Sequence, residues 1–330
     1  MSAAMLRNAL LSTAALLAAC AAVGNDYEAP EVKLPAAWQQ ALDAGLADGT
    51  PIEAEWWRTF EDPVLLELVE RALAQNLDLK AAFARLSSVR ALRGVAAADQ
   101  WPSLDARASY EHRQESENTP FGAFIPRTNI HAAGVDAAWE LDLWGRVRRA
   151  IEAAERDLEA SEAELQGAAL SVAAEVVSTY VDLRAAQRRL QIAQSNLELQ
   201  ERTLGLVEAR SAAGLVVERD VAQAATNVES TRSRMPMLEA EAIAAQNRLA
   251  VLLGRAPGDL PMSLSEPGKL PVVPTRIAVG VPADLLRRRP DVRRAERRFA
   301  AEVARVGQAE ADRYPRFSLV GTLGLASNSA

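Results

Sequence analysis

Few residues in this 330-residue chain can do chemistry, and their spacing rules most of it out. The single cysteine, Cys20, and the two histidines, His112 and His131, cannot assemble a Cys/His metal cluster, and one thiol cannot close an internal disulfide. The histidines flank a polar loop; a metal held by that pair is the weaker reading, and none is expected. No serine–histidine–acid constellation, phosphate-binding glycine loop or carboxylate pair stands out, so neither catalysis nor a cofactor is expected. Asp136, Glu140 and Asp142 fall on one side of an alternating run. Facing water, they could favour cations or simply form a polar wall. Arg287, Arg288, Arg289, Arg293, Arg294, Arg297 and Arg298 make a dense basic run, but Asp291, Glu296 and Glu302 supply local partners. The net charge of −7, from 37 basic and 44 acidic residues, argues against a protein that grips nucleic-acid phosphates.

Cys20 ends a segment of another kind. Arg7 gives a short basic region, and Ala9 to Ala19 is an apolar run too short to cross a bilayer as a helix. The string Leu17-Ala18-Ala19-Cys20 resembles a bacterial lipoprotein signal. Such a signal implies cleavage before Cys20 and acylation of the new N-terminal cysteine. Several acyl chains would anchor the chain stably, at about 0.8 kcal/mol per buried CH₂. Ala21, in place of an aspartate, favours the outer membrane.

The elements behind these residues follow from periodicity. Residues 20–61 read as a tail with scattered prolines and glycines. Asp62-Pro63 is an N-cap followed by proline at the first helical position. Helical pattern over about 62–100 breaks near Asn76-Leu77-Asp78. Leu104, Ala106, Ala108 and Tyr110 then alternate with Asp105, Arg107, Ser109 and Glu111. Val135, Ala137, Trp139, Leu141 and Leu143 alternate with polar or small neighbours. Period two predicts a β-hairpin over about 103–143 with one apolar and one polar face. Each run has the length a tilted strand needs to cross a membrane, although a soluble hairpin with one face on a core shares the pattern. Residues 145–211 predict one long helix. Ile151, Leu158, Leu165 and Val172 keep a heptad that resumes after a four-residue stutter at Val176, Leu183, Leu190, Leu197 and Leu204. A turn about Gly214 leads to a second helix over about 216–254. Its seam runs through Val217, Val221, Ala224, Val228, Thr231, Met235, Leu238, Ala242, Ala245, Leu249 and Leu252, with a kink expected at Pro236 and a C-cap at Gly254. A Pro- and Gly-rich connector reaches residue 282.

The chain then begins to repeat itself. At an offset of 213, Asn76 through Leu104 align without a gap on Arg289 through Phe317. Asp78 falls on Asp291, Gly94 on Gly307, Trp101 on Tyr314 and Pro102 on Pro315. The period is far longer than a solenoid unit of about 20–50 residues, so this is a duplicated half. Residues 62–282 form the first copy and 283–330 the start of a second. That start ends in its first strand, which predicts a C-terminally truncated product unable to form the whole assembly alone.

Several strings together carry a resemblance. They are Val23 through Pro30 after Cys20; Trp56-Trp57, Phe60 and Asp62-Pro63; Trp139-Glu140-Leu141-Asp142-Leu143-Trp144-Gly145-Arg146; Leu252-Leu253-Gly254; and Val281 through Leu286 with Arg288 through Asp291. On these the chain resembles the outer membrane efflux protein family, the TolC-like channels. Within that family it is similar to the NodT-type outer-membrane factor lipoproteins of the OprM kind; Asn25 departs from the usual proline.

The resemblance implies a mainly α fold with a long antiparallel, coiled-coil-like tunnel element. It adds a transmembrane β-hairpin belonging to a trimeric twelve-stranded barrel, with internal duplication. It further implies a homotrimer docked to a periplasmic adaptor (a membrane fusion protein) and an inner-membrane transporter of the RND type, in contact with outer-membrane lipid. Arg210, Gly214 and Asp220 match its recurrent tip pattern near the adaptor contact, although Gly214 also suits any tight turn and Asp220 any helix start. The function expected is an exit duct for drugs or solutes. The alternatives are a duct for type I protein secretion, a periplasmic adaptor with a helical hairpin, and a lipoprotein enzyme.

Overall fold

The computed structural model describes residues 22–30, 38, 46–47, 55–116, 118–120, 124, 127–260, 262–273, 277–278 and 282–329. The expected signal segment and Cys20 lie outside the described residues. Besides a 3-10 turn at Trp56–Phe60 and a one-turn helix at Met262–Ser265, the helices are α1 (Pro63–Gln75), α2 (Leu77–Ala98), α3 (Arg146–Ala212), α4 (Glu218–Leu252), α5 (Pro282–Arg288) and α6 (Pro290–Ala311). The long strands are β1 (Ser103–Arg113), β2 (Thr128–Leu141) and β3 (Phe317–Ser329). Two compact units divide the chain, one of Lys33–Ala84 with Glu164–Pro290, the other of Met1–Val32, Arg85–Ala163 and Asp291–Ala330.

The first unit holds a helical core. Asp62 caps α1 by accepting from the Val64 and Leu65 amides, and Pro63 fills a position whose N–H would go unused. Leu65, Leu68, Val69 and Ala72 then return to one face at helical spacing and are buried. They meet Val172, Val176, Tyr180 and Leu183 of α3 and Leu249 and Leu252 of α4. Each fully buried aliphatic side chain contributes roughly 1.5–3 kcal/mol. Asn76 separates α1 from α2 and is buried. Its Oδ1 accepts from the Leu79 amide, and its Nδ2 donates to the Leu252 carbonyl at the end of α4, 3.0 Å away. Gly254 must be glycine here: its φ is +69°, and a Cβ would stand 2.6 Å from the Gln75 carbonyl oxygen.

Helices α3 and α4 run antiparallel. Glu175–Arg248, Arg189–Glu241 and Glu201–Arg232 bridge them. All nine heptad positions of α3 are buried or half-buried, and so is every seam position of α4 except Val217. Helix α4 is continuous through the exposed Pro236, where a kink was expected. Arg184 is buried across the Tyr180 ring and donates to the Glu266 carbonyl, while Gln187 donates to that of Leu264. Together they fix the connector to α3. Leu46–Ala47 pairs in parallel with Ile277–Ala278.

The other unit carries the sheet, in the antiparallel order β1-β2-β3. The same unit holds the second part of α2, the first turns of α3, and α6. Arg93–Glu155 and Arg90–Glu162 link α2 to α3, and Arg297–Glu159 and Arg305–Asp157 link α6 to it. The bounds of α6 are those of α2 moved by 213 residues. The turn after each helix repeats as well: the Trp101 amide donates to the Ala98 carbonyl, and the Tyr314 amide to that of Ala311.

Candidate functional site at the strand-to-helix junction

The register sorts the sheet into two faces, because residues paired across antiparallel strands point the same way. One face gathers Leu104, Ala106 and Ala108 with Val135, Ala137 and Trp139, and with Phe317, Leu319, Leu323 and Leu325. The other gathers Asp105, Arg107, Ser109 and Glu111 with Asp136 and Glu140, and with Ser318 and Thr322. The apolar face is bare: Leu104 is 72% exposed, Leu323 81% and Leu325 84%. With 11, 14 and 13 residues, the strands reach or exceed the length a tilted membrane strand requires.

The string Trp139 through Arg149 turns this sheet into α3. Trp139 Nε1 donates to the Gln100 carbonyl, holding the end of α2 to the hairpin. Glu140 receives two parallel bonds of 2.8 Å from the Arg146 guanidinium, and these raise the arginine's pKa above its ordinary value. Asp142 lies beyond the end of β2 and accepts from the Val147 and Arg148 amides, so its carboxylate caps the positive end of α3. Trp144 stacks on Tyr314 with ring centres 4.8 Å apart and donates from Nε1 to the Pro315 carbonyl. The motif therefore ties α3 to both copies of the helix-to-strand turn.

The three expected wall acids separate under this geometry. Asp136 pairs with Arg107 and accepts from the Thr322 hydroxyl on the polar face. Glu140 sits on the same face but is engaged by Arg146. Asp142, expected on that face of the strand, stands outside the strand as a helix cap, because β2 stops at Leu141. The two histidines stand on neighbouring strand pairs. His112 Nδ1 meets Asn129 Oδ1 at 2.7 Å, and the His131 ring packs beside Tyr110. Among the described residues no group of three or more His, Cys, Asp or Glu could hold a metal.

The tip at the C-terminal end of α3 is a six-residue closure. The Leu215 amide donates to the Arg210 carbonyl and the Gly214 amide to that of Ser211, with Gly214 at φ +74°. This is a Schellman cap, which requires a left-handed residue at that place. Asp220 lies in the first turn of α4 beside Arg219, and Leu215 and Val217 are exposed. One residue escaped the sequence reading altogether. Arg149 is buried, and its position four residues before Ala153 on the buried stripe of α3 was the available signal.

A mainly helical chain, built on a long antiparallel hairpin and bearing a bare, two-faced sheet of membrane-length strands, is of the outer-membrane duct class in fold. Residues 68–255 match the family described as "Outer membrane efflux protein". The chain belongs to the outer membrane efflux protein family. Nodulation protein T of Rhizobium leguminosarum bv. trifolii is 34% identical over 308 residues, covering 93% of this chain and 65% of that protein. The solvent efflux pump outer membrane protein SrpC of Pseudomonas putida is 31% identical over 325 residues, covering 95% and 67%. The solved structure of the outer-membrane channel OprN is similar with a TM-score of 0.81 at 39% identity, covering 93% of this chain and 72% of that one. This chain thus spans about two thirds of the length of the curated relatives it matches.

Proposed function

We propose that the chain is a subunit of an outer-membrane exit duct in a tripartite efflux system, passing drugs or solutes without chemical change. The observation that carries this is the sheet, whose strands are long enough for a bilayer and whose apolar face is uncovered. In hydrocarbon such a sheet must close into a barrel, since every backbone amide needs a partner. Three copies, each giving four strands, would close twelve. The names of the relatives, efflux pump outer membrane proteins among them, support the same reading.

Cys20 carries the lipid anchor in this reading, and residues 1–19 are the signal removed before it. Residues 62–282 are the first repeat and 283–330 the beginning of the second. Arg210, Gly214 and Asp220 present the tip to a periplasmic adaptor, and an RND-type transporter of the inner membrane supplies the cargo. Asp136 and Glu140 line the water-filled side. A lipid anchor favours solute efflux over type I protein secretion, and the alternating strands disfavour a periplasmic adaptor.

The test uses the protein encoded by the whole genomic frame, purified in detergent. A trimer that conducts in planar bilayers is expected; a monomer without conductance would sink the duct. Intact mass of the N-terminal peptide, compared with Cys20→Ser, tests the anchor. The same mass and processing in both would remove it.

A further inference from the structure

The residues that follow Cys20 are held in a built groove of the sheet-bearing unit. The Val23 amide donates to the Trp144 carbonyl at 2.9 Å. Buried Arg149 reaches the same stretch from the other side, donating from Nε to the Val23 carbonyl at 3.1 Å and from Nη2 to the Gly24 carbonyl at 2.9 Å. Its Nη1 is shared between Asp26 at 2.8 Å and Glu152 at 2.7 Å. Burial lowers the pKa of that guanidinium, but the bonds and charges of Glu152 and Asp26 outweigh it and leave the value raised. The group is charged and its donors face four acceptors, three of them on the tail.

The groove is cut to fit backbone. Gly24 has φ +91°, and a Cβ there would stand 2.5 Å from the Gly307 Cα. A Cβ on Gly145, at φ +84°, would lie 2.4 Å from the Ala22 Cβ. A Cβ on Gly307 would crowd Arg149 and the Val23 carbonyl. Gly24 of the tail thus meets Gly307 of α6 directly, and Gly145 of the strand-to-helix junction makes room for Ala22 two residues before it. Beyond it the Tyr27 hydroxyl donates to Glu296, and the Tyr27 ring packs edge-on against Phe299.

We infer that Arg149 is the clamp of a docking groove for the chain's own segment Ala22–Tyr27, which pins the anchored N-terminus beside the strand-to-helix junction. Ala22, the first described residue of this segment, lies against Gly145 at the junction. The acyl chains of Cys20 would then enter the membrane next to the strands rather than at the end of a free tether. This placement rests on the lipid-anchor reading; the docking of the tail does not.

The experiment places a nitroxide on the full chain through exposed Asn25→Cys in a Cys20→Ala background, where no lipid is present. The parent should give an immobilised spectrum. Arg149→Ala should lose the immobilised component, and Arg149→Lys, which lacks the fork, should keep only part of it. Gly24→Ala changes the tail alone and should also free the label while the thermal melt of the body stays unchanged. A mobile label in the parent, or one that stays immobile in both Arg149→Ala and Gly24→Ala, overturns the clamp. The mass of the wild-type N-terminal peptide reports the anchor separately.

Discussion

Helices α2 and α6 hold equivalent places in the two copies, yet they bury different halves of themselves. In α2 the buried residues are Leu79, Ala82 and Leu86; their counterparts Val292, Ala295 and Phe299 are exposed. In α6 they are Ala300, Ala301, Ala304, Gly307 and Ala311, whose counterparts Ser87, Ser88, Ala91, Gly94 and Ala98 are exposed. The small-residue stripe is present in both helices. It is covered in α6, where Arg149 and Val23 come close to Gly307, and open in α2, where nothing lies within 4 Å of a Cβ built on Gly94. A stripe of small residues therefore reports the capacity for close packing, and the neighbours decide whether it is used.

The sharpest break of the equivalence should come at the head of each helix. Asn76→Leu should cost about 3 kcal/mol, because the Leu252 carbonyl and the Leu79 amide both lose a buried partner. Its counterpart change Arg289→Leu, at an exposed position, should cost less than about 1 kcal/mol, the most that an exposed charged contact contributes. Denaturant unfolding in detergent measures both, and equal losses would erase the distinction.

A second contrast is one of sign. Gly94→Ala should gain about 0.5–1 kcal/mol from helix propensity in open space. Gly307→Ala should lose about 1 kcal/mol, since Arg149 and the Val23 carbonyl must retreat. Two gains in the melting curves would show that the tail contact yields freely.

A tyrosine docks on each copy, Tyr180 against Asp62 and Tyr27 against Glu296. Burial first raises both pKa values above the ordinary value near 10; Glu296 adds to it at Tyr27, while at Tyr180 Arg184 opposes it and Asp62 adds to it. Raised values mean that this contribution is whole below about pH 10 and is lost as pH climbs through the folded-state value. Tyr180→Phe should flatten that alkaline loss more than Tyr27→Phe does, because Tyr180 is the more buried. Equal slopes in a pH series of melts would contradict this. The smallest effects belong to the surface pairs: Arg93→Ala and Arg305→Ala should each cost under about 1 kcal/mol and should matter less in high salt.

Periodic signals carried most of the fold into view. The Asp62-Pro63 cap, the heptads of α3, the seam of α4 and the two strand faces all rest on patterns repeated over many residues, so single exceptions do not hide them. What stayed hidden depends on contacts distant in sequence. Asn76 reads as a helix break, but its bond to Leu252 joins residues 176 positions apart. Arg149 looks like one more surface arginine in Arg146-Val147-Arg148-Arg149 until α6 and the tail close over it. Asp142 fits the alternation of the strand, yet capping the first amides of α3 takes precedence and the strand ends at Leu141, two residues before its expected end.

The acids of the junction have one further consequence. Asp136 is matched by Arg107, Glu140 by Arg146, and Asp142 by the amides and guanidinium of Arg148 with the amide of Val147. Each carboxylate is answered within the same chain. With its three acids matched in this way, the junction itself is close to electroneutral, so Arg107→Ala or Arg146→Ala would leave a bare negative charge beside the turn into α3.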